Sequence, residues 1–124
     1  MPHETKWTER GIEWRYYGVV TAAETREADN AFYNDPRSDT AKYQFIDLRD
    51  VEELIFNVHE QEVNAGYDAA QSKSTPNVRV AFITPDDRFD ELLAVYMQLL
   101  NNSSWRAKTF TSVEAAREWV GPPA

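Results

Sequence analysis

The sequence predicts an α/β domain with a predominantly parallel sheet, an N-terminal β-hairpin at one side and helices packed on the sheet faces. Three observations lead there. The strand-like blocks are short, aromatic and β-branched; amphipathic or capped helical stretches lie between them; and the blocks stand too far apart for hairpins, so crossover connections must join them. At 124 residues the chain suits a single domain over 1–124 and is too short for two independent cores.

The elements follow in order. From His3 to Val20 the pattern is two strands around Glu9-Arg10-Gly11, with Ile12, Trp14 and Tyr16 on one face by two-residue alternation. Thr21-Ala-Ala-Glu24 is a capping box that opens a helix to about Tyr33, whose thin apolar stripe is Ala28, Ala31 and Phe32. Asn34 to Asp39 is dense in turn formers and reads as a surface loop. Tyr43 to Leu48 is a central strand, and the charged run Arg49 to Glu53 reads as the loop beyond its carboxyl end.

After Leu54-Ile-Phe56, which fits strand or helix, Asn57 caps a helix reaching about Ser72 with Val63, Gly66, Tyr67 and Ala70 on its inner side; Gly66 is expected to mark close packing. Val78 to Ile83 is a strand, and Thr84-Pro85-Asp-Asp87 starts the next helix with proline at its first position. That helix carries Phe89, Leu92, Leu93, Tyr96, Leu99 and Leu100 at helical spacing, the clearest periodicity in the chain. Trp105 to Phe110 is the last strand, and the box Thr111-Ser-Val-Glu114 opens a terminal helix with Ala116 and Val120 inward.

Composition narrows the function. Hydrophobic residues at 42% and aromatics at 13% support a packed core. Thirteen basic against 21 acidic residues give a net charge of -8, the wrong sign for following a phosphate backbone or an anionic membrane, so nucleic acid is not an expected partner. The absence of cysteine removes disulfides, thiolate metal sites and a cysteine nucleophile. Without a signal-peptide pattern or a long apolar run, no membrane span is expected and the cytoplasm is the expected compartment.

Most of the charge is local. Between Asp47 and Asp68 seven acids stand against the single base Arg49, so -6 of the net -8 falls there. Asp47, Arg49, Asp50, Glu52, Glu53, Asn57 and His59 form the expected binding surface, for a protein partner that is basic at the contact. A solvated, solubilising helix face explains the same charge run. His59 beside Glu60 and Glu62 has the composition of a general base or a metal ligand, but only one other histidine exists, so an enzyme using His59 with a carboxylate ranks third. Asp86, Asp87 and Asp90 crowd one helix start, where the macrodipole accounts for them. No glycine-rich phosphate loop occurs, and neither a cofactor nor a metal is expected. The aromatics Tyr17, Phe32 and Tyr33 suit a dimer rim or a small apolar pocket, which leaves a homo-oligomer and a small apolar ligand open.

The stretches Tyr43 to Val51, Pro76 to Ile83, Tyr96 to Leu100 and above all Phe110-Thr-Ser-Val-Glu-Ala-Ala-Arg-Glu-Trp-Val120 resemble the STAS superfamily, and within it the SpoIIAA-like, or STAS/SEC14, small bacterial proteins. The similarity covers about residues 12–121 by element order and implies the SpoIIAA-like fold. It also implies a non-enzymatic regulatory or binding role, or, through the SEC14-like branch, carriage of a small apolar ligand or lipid. In anti-sigma-factor antagonists of that superfamily a phosphorylatable serine follows an aspartate-leucine strand end. Asp47-Leu48 matches the strand end, but no serine or threonine occurs between Thr40 and Ser72, so that switch is not expected here.

Overall fold

The computed structural model describes residues 3–121. It contains β1 (His3–Trp7), β2 (Gly11–Thr21), α1 (Ala22–Tyr33), a short 3₁₀ turn (Pro36–Thr40), β3 (Tyr43–Ile55), α2 (Val58–Gln71), β4 (Arg79–Ile83), α3 (Asp90–Leu100), β5 (Arg106–Phe110) and α4 (Val113–Val120). The sheet order is β1-β2-β3-β4-β5, antiparallel only between β1 and β2. Each crossover advances one strand in the same direction. With a common handedness such crossovers stack their helices on one face, and α1, α2 and α3 share one core there. Ile12, Trp14, Val80 and Phe82 of the sheet meet Phe32, Ala65, Leu93 and Tyr96 of the helices. The other face carries a smaller core, where Ala116 and Val120 of α4 cover Tyr43, Phe45, Ala81 and Ile83.

The α4 face is pinned by a polar clamp. Arg117 grips Glu13 through two bonds at 2.9 and 3.0 Å, and the Tyr43 hydroxyl donates to the same carboxylate at 2.9 Å. Burial opposes the charge, but these bonds hold the Glu13 carboxyl below its ordinary range. At the hairpin, Gly11 lies so close to β3 that a Cβ would overlap the Tyr43 carbonyl oxygen. Gly18, with φ of 68°, sits at a register shift between β2 and β3 and supplies the left-handed backbone that the bulge needs.

Several local expectations change. The charged run Arg49 to Glu53 is strand, because β3 continues to Ile55 with Tyr17 opposite Asp50, Val19 opposite Glu53 and Thr21 opposite Ile55. Backbone pairing to β2 overrides the turn-like composition. Helix α3 begins at Asp90 with Phe89 as its cap residue, so Pro85 lies in the preceding turn and not at the first helical position. Helix α4 is capped by Ser112, whose hydroxyl accepts from the Ala115 amide at 3.3 Å, one residue past the expected threonine. Ala31 is exposed; the inner stripe of α1 is Ala22, Ala28 and Phe32. Gly66 is exposed as well, with nothing near the place a Cβ would occupy, so it marks no close packing.

Candidate functional site: a cleft under three helices

The largest departure is the orientation of α2. Its inner face is Gln61, Asn64, Ala65 and Asp68, while Tyr67 is 59% exposed. Polar residues at i, i+3 and i+7 therefore point at the sheet. Burying such groups costs free energy unless they find partners. Most do: Gln61 Nε2 donates to the Leu92 carbonyl at 3.2 Å, and Arg26 Nη2 of α1 donates to Asn64 Oδ1 at 3.3 Å.

Asp68, only 2% exposed, accepts from two phenols. Tyr96 of α3 donates to Oδ2 at 2.5 Å, and Tyr33 of α1 donates to Oδ1. Desolvation pushes the Asp68 carboxyl up to about 7, with the Tyr96 bond pulling the other way. Asp29 of α1, half-buried, is also raised, by desolvation and then by the neighbouring Asp68 charge. Burial and these acids raise the Tyr96 and Tyr16 phenols, so both stay protonated donors at neutral pH.

These groups line a cavity of about 70 Å³ between the sheet and the helices. Trp14, Phe82, Leu93 and Tyr96 give it apolar walls, and Thr25, Asp29, Ile46, Leu54 and Phe56 are half-buried residues of its lining. Gln44 of β3, 1% exposed, also lines it, and its Nε2 has no hydrogen-bond acceptor among the described residues. Gln44 thus adds a buried donor without an acceptor to the lining of the cavity, and such a group is satisfied by a small polar ligand atom or a water.

The residues expected from the sequence to bind lie outside this cavity, on β3 and at the start of α2. Asp47 is held by Arg49 through bonds at 3.0 and 2.8 Å; burial opposes its charge, but Arg49 keeps the carboxyl below its ordinary range. Asp50 pairs with Arg15 at 3.1 Å. Glu52 and Glu53 are exposed on the β3 extension. Asn57 is committed to a capping box with Glu60, accepting the Glu60 amide at 2.7 Å. His59 is exposed on the first turn of α2, and among the described residues no group of three or more His, Asp or Glu residues is arranged to hold a metal. Of the aromatics, Phe32 is buried against Trp7, Tyr33 reaches Asp68, and Tyr17 is exposed. Sequence reasoning missed Asp29, Gln44, Gln61, Asn64 and the role of Asp68. The available signal was the helical spacing of Gln61, Asn64 and Asp68, whose i, i+3, i+7 positions also define a face.

No protein-family model matches the chain, and no curated protein does. A solved structure described as an uncharacterised protein of the DUF3478 family with a SpoIIAA-like fold, from Shewanella loihica PV-4, aligns over 95% of this chain and 91% of that one, with 14% identity and a TM-score of 0.59. The likeness is one of fold: this chain has a SpoIIAA-like fold, with a mostly parallel five-stranded sheet and four α-helices. Among the described residues no helix is long and apolar enough to cross a membrane.

Proposed function

We propose that the chain is a non-enzymatic, cytoplasmic binding module whose ligand is a small, largely apolar molecule with one polar end, seated in the cleft beneath α1, α2 and α3. The observation that carries this reading is the unpaired Gln44 amide in the lining of a cavity that combines apolar side chains of the sheet and α3 with polar ones of α1 and α2. A fold under selection for stability alone gains by replacing that amide with leucine, since an unsatisfied buried donor costs about 1–3 kcal/mol. The inward polar stripe of α2 adds to it, because local rules are broken most often at functional sites. Native mass spectrometry of protein purified without denaturation tests the reading. A retained mass that disappears on denaturation is expected; bare chain, with no mass gained on incubation with a small-molecule extract of the host, contradicts it.

A second reading has its own observation. Beyond Asp47, where β4 ends, β3 runs on beside β2. That ribbon exposes Val19 (45%) and Ile55 (51%) beside the acids Asp50, Glu52 and Glu53. Apolar groups ringed by charge suit a protein partner that is basic at the contact. Exposed charges are screened beyond about 8 Å at physiological salt, so capture of that partner should weaken at high salt and in the triple variant Asp50→Asn, Glu52→Gln, Glu53→Gln. Equal capture by wild type and variant at both salt levels makes this stretch a solubilising face only.

A further inference from the structure

We propose that the cleft selects an amino alcohol: an organic ammonium with a nearby hydroxyl, carried on an apolar body. This rests on the cleft being a ligand site and names the chemistry of its polar end. The acids Asp29 and Asp68 line the cavity, and no lysine, arginine or histidine does. Arg26, on the same helix as Asp29, is occupied by Asn64 and lies over the Tyr67 ring at 5.0 Å, outside the lining.

Buried carboxylates are costly, and two near each other are costlier; Arg26 favours the Asp29 charge, but burial and the Asp68 charge outweigh it. In the empty cleft the pair meets that cost by keeping a proton, in line with the raised Asp29 and Asp68 carboxyls. An ammonium group replaces the proton: one proton leaves the pair for solvent, and the cation takes its place against the carboxylate oxygens. Trp14, Phe82 and Tyr96 place three aromatic rings in the walls.

Gln44 Nε2 remains, a donor that requires an acceptor. An ammonium group has no lone pair for it, whereas a hydroxyl oxygen has. The same carboxyls repel a carboxylate, so fatty acids are the wrong chemistry. At about 70 Å³ the cavity takes a head group of a few heavy atoms, since one water needs about 10–15 Å³ on this measure. The apolar body packs against the half-buried Leu54 and Phe56 of the lining.

Four matched probes test this by calorimetry: leucinol, isoamylamine (the same amine without the hydroxymethyl), isohexanol (without the amine) and isocaproate (an anion). Leucinol should bind wild type at least about tenfold more tightly than isoamylamine or isohexanol, as loss of one buried hydrogen-bonded partner costs about 1–3 kcal/mol. Isocaproate should bind most weakly. Leucinol affinity should fall from pH 8 to pH 6 as the pair regains its proton, and buffers of different ionisation enthalpy should show proton release. The titratable and charged groups acting on or bonded to the pair are Arg26 and Tyr33 from α1, Tyr96 from α3 and, through its own raised phenol, Tyr16 from β2. None is a histidine, so the proton belongs to the two carboxyls.

Gln44→Leu should erase the preference for leucinol over isoamylamine, and Asp68→Asn the preference over isohexanol. Circular dichroism checks that both fold, with Asp29→Asn, at a half-buried position, replacing Asp68→Asn if that variant does not. Isohexanol or isocaproate binding wild type as tightly as leucinol overturns the amino-alcohol assignment while leaving the cleft a ligand site. So does an unchanged preference in Gln44→Leu. Heat from none of the four also overturns it, and the wider carrier reading then stands or falls on the retained mass.

Discussion

Tyr96 of α3 donates its phenolic proton to Asp68 Oδ2 of α2 at 2.5 Å, while Tyr33 of α1 donates to the other oxygen. One carboxyl thus joins three helices over the sheet. The arrangement is polar at a place where aliphatic side chains would pack more cheaply, and it borders the cavity that Gln44 lines.

Stability should fall as pH rises from about 4 to about 7. Asp68 is raised from 3.8 to about 7 by burial, so in this window the folded chain binds a proton that the unfolded chain has already released. The contribution is present below the unfolded value and gone above the folded one. Denaturant melts at several pH values should show the slope. Asp68→Asn should reduce the slope, leaving the part that comes from Asp29, and should be the more stable protein at pH 8. An Asp68→Asn variant that keeps the wild-type slope contradicts the burial of a titrating carboxyl.

Gly11→Ala should destabilise the domain by a few kcal/mol, because the added methyl meets a backbone carbonyl of β3 that cannot step aside. Gly66→Ala, on the exposed face of α2 with open space around it, should instead stabilise by about 0.5–1 kcal/mol through helix propensity. Paired denaturation curves decide both.

Truncation after Thr111 removes α4, uncovering Phe45 and Ile83 and leaving Glu13 without Arg117. Each buried apolar side chain lost contributes about 1.5–3 kcal/mol against a total stability of roughly 5–15 kcal/mol. The truncated chain should lose cooperative melting; an unchanged melting temperature contradicts the α4 core.

Incubation with an anti-sigma kinase should leave Asp47 to Gln71 unmodified, since the segment has no serine or threonine and Tyr67 is its one hydroxyl. Peptide mapping after incubation with labelled nucleotide reads this directly. Phosphate within that segment would overturn it.

The fold was legible in the sequence where periodicity and caps agree with burial. Ile12, Trp14 and Tyr16 alternate and are all buried, and both Thr21 and Asn57 cap as their spacing requires. The candidate cleft was not, for a physical reason. Amphipathic reading assigns polar residues outward, so it chose Val63, Gly66, Tyr67 and Ala70 for the inner face of α2, whereas tertiary partners from α1 and α3 make Gln61, Asn64 and Asp68 affordable inside. The acidic run failed differently: its charges are compatible with a strand whose side chains reach solvent, and only the pairing with β2 distinguishes that from a loop.

Amide-resolved NMR with a library of small amphipathic compounds tests most directly whether the cleft is a ligand site. Shifts should concentrate at Tyr16 to Val20, Thr25 to Asp29, Gln61 to Asp68 and Leu93 to Tyr96, and should vanish when Leu93→Trp fills the cavity. Shifts confined to the β2–β3 ribbon, or unaltered by the filled cavity, would contradict it.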